Sequence, residues 1–372
     1  MIYLDHNATT PLAPEAVHAM TPFLGPEYGN PSSGYDLGQR AKAALEKART
    51  QTAAIIGAKP EEVFFTSGGT ESNNTALKGV FYQAPRPAHL VTTYIEHPAI
   101  INPCLFLMAQ GADVTFVPVD GQGLVDPNDI RRAVKPETVL VSVMLANNET
   151  GVVQPLEEIG RVTRELGVRL HTDAAQAIGK IEVDVERLGV DFLSMAGHKL
   201  YAPKGVGALF IRQGLEIEPL LHGAGQEAGR RAGTENVLLA VGLGTACETA
   251  ATLLPEEGPR LARLRDRLHQ GLKDKIPNLV LAGHPDKRLP NTLNVCLPGL
   301  PGSDVLAQAP EIRASTGAAC HAGAVKVSAV HQAMGLDRET AQGAIRLSLG
   351  RSNTPDQIEE AIEALARAAR SL

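Results

Sequence analysis

Apolar positions in this chain follow two alternating periods. From Asp36 to Ile56, Ala, Leu and Arg/Lys recur at helical spacing and stop at Gly57, which predicts one long helix. Val63–Thr66, Leu90–Thr93, Val114–Val119, Val139–Met144, Val168–Thr172, Phe192–Met195 and Ala208–Ile211 are short apolar runs of the kind that forms strands buried on both faces. Helical patterns from Glu71, from about Ala99 and over Pro155–Leu166 separate several of them. Strands alternating with helices predict an α/β fold, a mostly parallel sheet with helices on both faces. After about Arg260 the pattern changes. A charged amphipathic helix over Arg260–Ile276, a strand over Asn291–Leu297 and an Ala/Glu-rich helix from Thr354 predict a second, smaller α+β domain.

The ends of the predicted strands carry unusual polar sets. Ser67-Gly68-Gly69-Thr70 follows the first strand and opens a helix. Glu96-His97, Asn147-Asn148-Glu149, Asp173 with Gln176, and His198-Lys199 follow four others. In an open parallel sheet, ligands bind outside the carboxyl ends of the strands, so these tails are expected to converge. Each has a chemical reading and a plainer one. Gly68-Gly69-Thr70 makes an anion cradle at a helix N-terminus, or simply a capping turn. Asp173 pairs with a protonated ring nitrogen, or caps a helix. His97 stacks on a flat ring or moves protons, or is a satisfied core histidine. Asn148 and Gln176 bond a phenolic oxygen, or cap loops. Lys199, driven into the end of a buried strand, loses its proton more easily and becomes an amine nucleophile, or is an ordinary lysine past a strand end. Taken together, a phosphate cradle, a carboxylate for a pyridinium and a Schiff-base lysine fit pyridoxal 5'-phosphate.

Composition narrows the alternatives. The chain has 372 residues with 44% hydrophobic and 20% charged, enough for a large core and two domains. A net charge of -6 offers no basic field for nucleic acid or an anionic membrane. Tryptophan is absent and aromatics are 4%, which argues against a base-stacking surface. No apolar run reads as a membrane span, and MIYLDHNATTPL lacks the regions of a signal peptide, so a cytoplasmic protein is expected. Cys104, Cys247, Cys296 and Cys320 are far apart with no C-x-x-C pair, which argues against a cysteine-built metal site.

The motifs YLDHNATTPL, GNPSS, FTSGGTESNN, ANNETGVVQP, HTDAAQAIGK, GHKLYAPKGVGAL, RRAGTENV and IRLSLGR resemble, in order, those of the NifS-like cysteine desulfurases and the selenocysteine lyases, within the class V pyridoxal-phosphate group. The resemblance runs from Tyr3 to about Arg351. It implies a fold-type I enzyme with a large cofactor-binding domain over 16–259. A small domain, 1–15 with 260–372, would carry the catalytic cysteine. Lys199 would hold the cofactor, and His97 would stack on its ring and assist proton transfer. Asp173 would pair with the ring nitrogen, and Asn148 and Gln176 would face the ring oxygen. Gly69, Thr70 and His198 would bind phosphate, helped by Thr234 of the neighbouring subunit in a homodimer. Asn30 and Arg346 would hold the substrate carboxylate. Cys320, in RASTGAACHAGAVKVS, matches the persulfide-forming cysteine.

The implied reaction converts L-cysteine to L-alanine. Lys199 takes the α-proton, and the Cys320 thiolate takes the sulfur for delivery to an acceptor such as an iron–sulfur scaffold protein. Two positions depart from the pattern. Ala196 stands three residues before the lysine, where the family commonly has a hydroxyl that meets the phosphate. His321 follows the cysteine, as in selenocysteine lyases, so L-selenocysteine is the alternative substrate. A class V aminotransferase and an inactive scaffold for sulfur-transfer partners are the remaining alternatives.

Overall fold

The computed structural model describes residues 1–316 and 327–372. Twelve strands form three sheets among those residues. β2 (Val63–Thr66), β3 (His89–Thr93), β4 (Asp113–Val117), β5 (Thr138–Ser142), β6 (Arg169–Asp173), β7 (Phe192–Ala196) and β8 (Gly207–Ile211) build the largest, in the order β2-β8-β7-β6-β5-β3-β4. β8 runs antiparallel to both neighbours, β2 and β7. The remaining pairs are parallel. Six strands therefore point the same way, and their carboxyl ends share one edge.

The period of two in the apolar runs decides what lies on each face. Phe65, Val91, Val141, Leu193 and Phe210 enter one core with residues of the helices Asp36–Ala54 and Val237–Lys275. Their neighbours Phe64, Leu90, Leu140, Phe192 and Leu209 enter another, with Leu77, Phe81 and Ile100 from the helices Gly69–Gln83 and Pro98–Ala109. Both faces are thus covered, as the continuous apolar runs predict.

β1 (Ile2–Tyr3) pairs in parallel with β11 (Ile312–Arg313). β9 (Val280–Leu281), β10 (Thr292–Cys296) and β12 (Ala344–Ser348) form an antiparallel sheet in the order β12-β10-β9. A separate core gathers Ile2, Leu4, Leu268, Leu293, Ile345 and Leu365 beneath the C-terminal helix Pro355–Arg370.

Boundaries shift by small amounts from the sequence reading. β6 starts at Arg169 and takes in Asp173, and β5 ends at Ser142 rather than Met144. The larger difference lies at 260–276. The charged helix there is the second half of one 39-residue helix, Val237–Lys275, which contains Pro255 and Pro259. Its first half supplies Ala240, Leu243 and Ala246 to one core, and its second half supplies Leu261, Leu264 and Leu268 to the other. By length and composition this helix could cross a membrane, contrary to the expectation of no such run. Burial of those positions in two protein cores accounts for its apolarity.

Candidate active site

The polar strand tails do converge. A cavity of about 370 Å³ at the carboxyl edge is lined by Thr70, His97, Asp173, His198, Lys199 and Arg346, among others. Gly69, Asn148 and Gln176 also line it.

Lys199 ends a single turn, Gly197–Lys199, that directly follows β7. Its Nζ lies 2.5 Å from the Asn7 carbonyl oxygen and 2.8 Å from that of Ala8. Burial, reinforced by the Arg346 charge, lowers its pKa to about 8, against the opposing pull of Asp5 and Asp173. Two carbonyls accept its protons while its environment favours the free amine.

Asp173 closes β6 and is buried. Its Oδ2 accepts from Asn73 Nδ2 at 2.7 Å and its Oδ1 from the Ala175 amide at 3.0 Å. Both oxygens are held as acceptors, which suits a carboxylate facing a cationic N–H. Asn73 lies three residues after Thr70 on the same helix, so the two side chains share a face.

His97 caps the helix Pro98–Ala109, and its Nδ1 accepts from the Ala99 amide at 3.1 Å. The neutral ring therefore carries its proton on Nε2. Burial lowers its pKa, Asp173 raises it, and Lys199 lowers it further.

The helix Gly69–Gln83 opens on Gly68, whose φ of +151° is a conformation that residues with side chains seldom adopt. A Cβ on Gly69 would sit 3.2 Å from the Ala196 methyl, so the cradle is tight there. The Gly69 and Thr70 amides fall in the first turn, where no intrahelical acceptor exists. His198 Nδ1 pairs with Thr9 Oγ1 at 3.2 Å, and burial, with Lys199 and Lys204 nearby, lowers its pKa to about 4. Ser194 cannot supply the hydroxyl missing at Ala196, because its Oγ pairs with His171 Nε2 at 3.0 Å.

Arg346 leaves β12 with Nη2 on Asp5 Oδ1 at 2.6 Å and Nη1 on the Asn148 carbonyl at 3.1 Å. Its buried Nε has no hydrogen-bond partner among the described residues, and Arg346 lines the cavity. Gln176 Nε2 donates to the Asn7 carbonyl at 3.0 Å.

Two predicted residues lie elsewhere in this chain. Asn30 and Thr234 are exposed and do not line the cavity. Cys320 and His321 fall outside the described residues. The other three cysteines are buried, and burial pushes each thiol up to about 12.

The sequence reading did not single out Asn7, Asp5, Asn73 or Lys180, and it named Glu149 in a polar strand tail without giving it a role. Glu149 is buried beside Ser328, and burial raises its carboxyl to about 7 against the pull of Ser328 and Arg346. No His/Cys/Asp/Glu group suited to a metal occurs among the described residues.

The arrangement pairs an activated amine with an anion cradle, a fixed carboxylate and a guanidinium donor. Known proteins are similar to this chain over most of its length. A cysteine desulfurase IscS of Methanosarcina thermophila is 46% identical over 365 residues, covering 97% of this chain and 90% of that protein. A solved NifS-like protein superposes with a TM-score of 0.94 at 38% identity, each chain covered in full. SspA, solved in complex with cysteine, gives 0.82 at 36% identity, covering 94% of this chain and 99% of its own. These neighbours carry the predicted fold-type I architecture, the first over the whole chain and the second over 94% of it. The aminotransferase class-V model matches residues 2–361, and with these relatives it shows that the chain belongs to the class-V aminotransferase family.

Proposed function

We propose that this chain is a pyridoxal-phosphate-dependent cysteine desulfurase that converts L-cysteine to L-alanine and carries the sulfur on Cys320 as a persulfide. The observation that carries the reading is Lys199, shifted toward its free amine and lining one cavity with Asp173. The names of the relatives support the reaction, and the cysteine complex of SspA supports the substrate.

The residues present fit the cofactor. Gly69, Thr70 and His198 surround a space suited to a phosphate, and Asp173 offers a carboxylate whose orientation Asn73 fixes. Thr70, His97, Asn148, Gln176 and Lys199 line the rest of the cavity. When bound, pyridoxal phosphate supplies an aldehyde for an amine and a ring that accepts electrons from the substrate Cα.

The chain's own residues do the remainder. Lys199 holds the group and, once freed, takes the proton from the substrate Cα. Asp173 keeps the ring nitrogen protonated. His97 presents its Nε2 proton, since Nδ1 is committed to Ala99. Arg346, which lines the cavity, receives the substrate carboxylate on its guanidinium. The Cys320 thiolate attacks the substrate sulfur. The carbon–sulfur bond breaks, the carbon takes a proton, and Cys320–S–SH and alanine result.

The proposal extends to assembly. Asn30 and Thr234, exposed here, would serve the site as parts of a homodimer, with Thr234 reaching the neighbouring subunit's phosphate. The two cores support a large domain over 16–259 and a small one over 1–15 and 260–372. A cytoplasmic iron–sulfur scaffold protein is the proposed acceptor. His321 beside Cys320 favours a second reading, selenocysteine lyase.

Alanine release from L-cysteine and from L-selenocysteine, with and without a thiol reductant, tests both. Reductant-stimulated alanine release from L-cysteine is expected. Turnover of L-selenocysteine alone would replace the first reading with the second.

Ala196 gives a further expected result. Ala196→Ser restores a hydroxyl beside Gly69 and should tighten cofactor binding about tenfold, the worth of one hydrogen bond to a charged oxygen. Titration of the apo-protein measures it. Unchanged or weaker affinity would show that another group already serves that oxygen.

A further inference from the structure

Lys180 lies outside every motif role given above, yet its partners lead into the site. It is partly buried, and its Nζ donates to Gln176 Oε1 at 2.7 Å and to Asn7 Oδ1 at 3.0 Å. Gln176 Nε2 in turn donates to the Asn7 carbonyl, the same oxygen that accepts from Lys199 Nζ. Asn7 is itself fixed. Its Nδ2 donates to Thr292 Oγ1 at 2.9 Å and to the Asn148 carbonyl at 3.3 Å, and its Oδ1 also accepts from Asn291 Nδ2.

A glutamine amide has two orientations of nearly equal shape, distinguished only by partners. Here one of them is excluded twice. The flipped amide would set its NH₂ against Lys180 Nζ, donor against donor. It would also set its oxygen against the Asn7 carbonyl, acceptor against acceptor. In the orientation present, one N–H of Gln176 goes to Asn7 and the second remains for the cavity that Gln176 lines. Without Lys180 the Oε1 would lose its donor, and the preference would rest on one bond.

We propose that Lys180 is a positioning residue which, with Asn7, fixes Gln176 as a hydrogen-bond donor toward the ring oxygen of bound pyridoxal phosphate. The inference rests on the cofactor reading above. Burial, with the charges of Lys199 and Arg346 nearby, lowers the Lys180 pKa well below that of a free lysine.

The test titrates apo-protein with pyridoxal phosphate and reads both the dissociation constant and the visible absorption band. Lys180→Met should weaken binding about tenfold and move the band, because the oxygen loses an oriented donor. Gln176→Ala should do the same. The double variant Lys180→Met/Gln176→Ala should be no worse than Gln176→Ala alone, since one acts through the other. Gln176→Glu keeps a partner for Lys180 but sets an oxygen against the Asn7 carbonyl and presents no donor, so it should bind at least as weakly as Gln176→Ala even if Lys180→Met folds poorly. Additive losses in the double variant would overturn the inference, as would wild-type binding and spectrum in Lys180→Met or in Gln176→Glu. A wild-type protein that takes up no pyridoxal phosphate would overturn the cofactor reading itself, and the inference with it.

Discussion

Lys199→Ala is expected to abolish alanine formation, by more than about 10³-fold, because the residue is assigned two roles that no neighbour can assume. In the proposed reaction it binds the cofactor covalently and moves the substrate α-proton. Lys180, the other lysine close by, is committed to Gln176 and Asn7. Borohydride reduction and peptide mapping should place the pyridoxyl label on Lys199 in wild type and nowhere in the variant. A label on any other lysine would remove the assignment.

The pH dependence supplies a second check. A Schiff base forms from the neutral amine, so cofactor uptake by apo-protein should rise with pH and level off above about 8, the value to which burial and Arg346 lower Lys199. At pH 8 about half of such a lysine is free amine, against less than about 1% for one at its usual value near 10.4. A rise that continues past pH 10 would mean that the strand end does not activate the amine.

The sheet and the edge that carries the site are legible in the chain because parallel strands impose a rule. Continuous apolar runs become strands covered on both faces, and polar residues just beyond their carboxyl ends meet at one edge. Gly69, His97, Asn148, Asp173 and Lys199 all line the cavity for that reason. Asn73 was within reach of the same reasoning, since helical spacing places it on the face of Thr70.

The N-terminal contribution was not legible. Asp5 meets Arg346 across 341 positions, and Asn7 meets Lys199 across 192. No local period encodes such pairs, because they depend on where the N-terminal segment crosses the sheet edge. The long helix was hidden differently. The sequence shows only its charged second half, Arg260–Ile276, as a helix; packing of Ala240–Ala250 and Leu261–Leu272 into two cores holds one helix through Pro255 and Pro259. Asn30 and Thr234 were named from motif resemblance alone, and nothing within one chain brings them to the cavity.

Cys320→Ala should stop alanine formation from L-cysteine while leaving measurable alanine formation from L-selenocysteine. A substrate thiol leaves carbon poorly, so desulfuration needs a protein thiolate to capture the sulfur. A selenol is more acidic, and its selenium departs with less help. The loss on L-cysteine should reach at least about 10²-fold, as expected when a nucleophile is removed while binding survives. His321 can take the thiol proton or supply a positive charge beside Cys320, either of which lowers the thiol pKa. His321→Ala should therefore move the alkylation of Cys320 by iodoacetamide to higher pH. The assay is clean because Cys104, Cys247 and Cys296 are buried, with thiols pushed up to about 12. Full activity of Cys320→Ala on L-cysteine would withdraw the nucleophile from Cys320 and favour an aminotransferase or a simple lyase. An unmoved alkylation profile in His321→Ala would leave Cys320 as nucleophile and remove His321 from its activation.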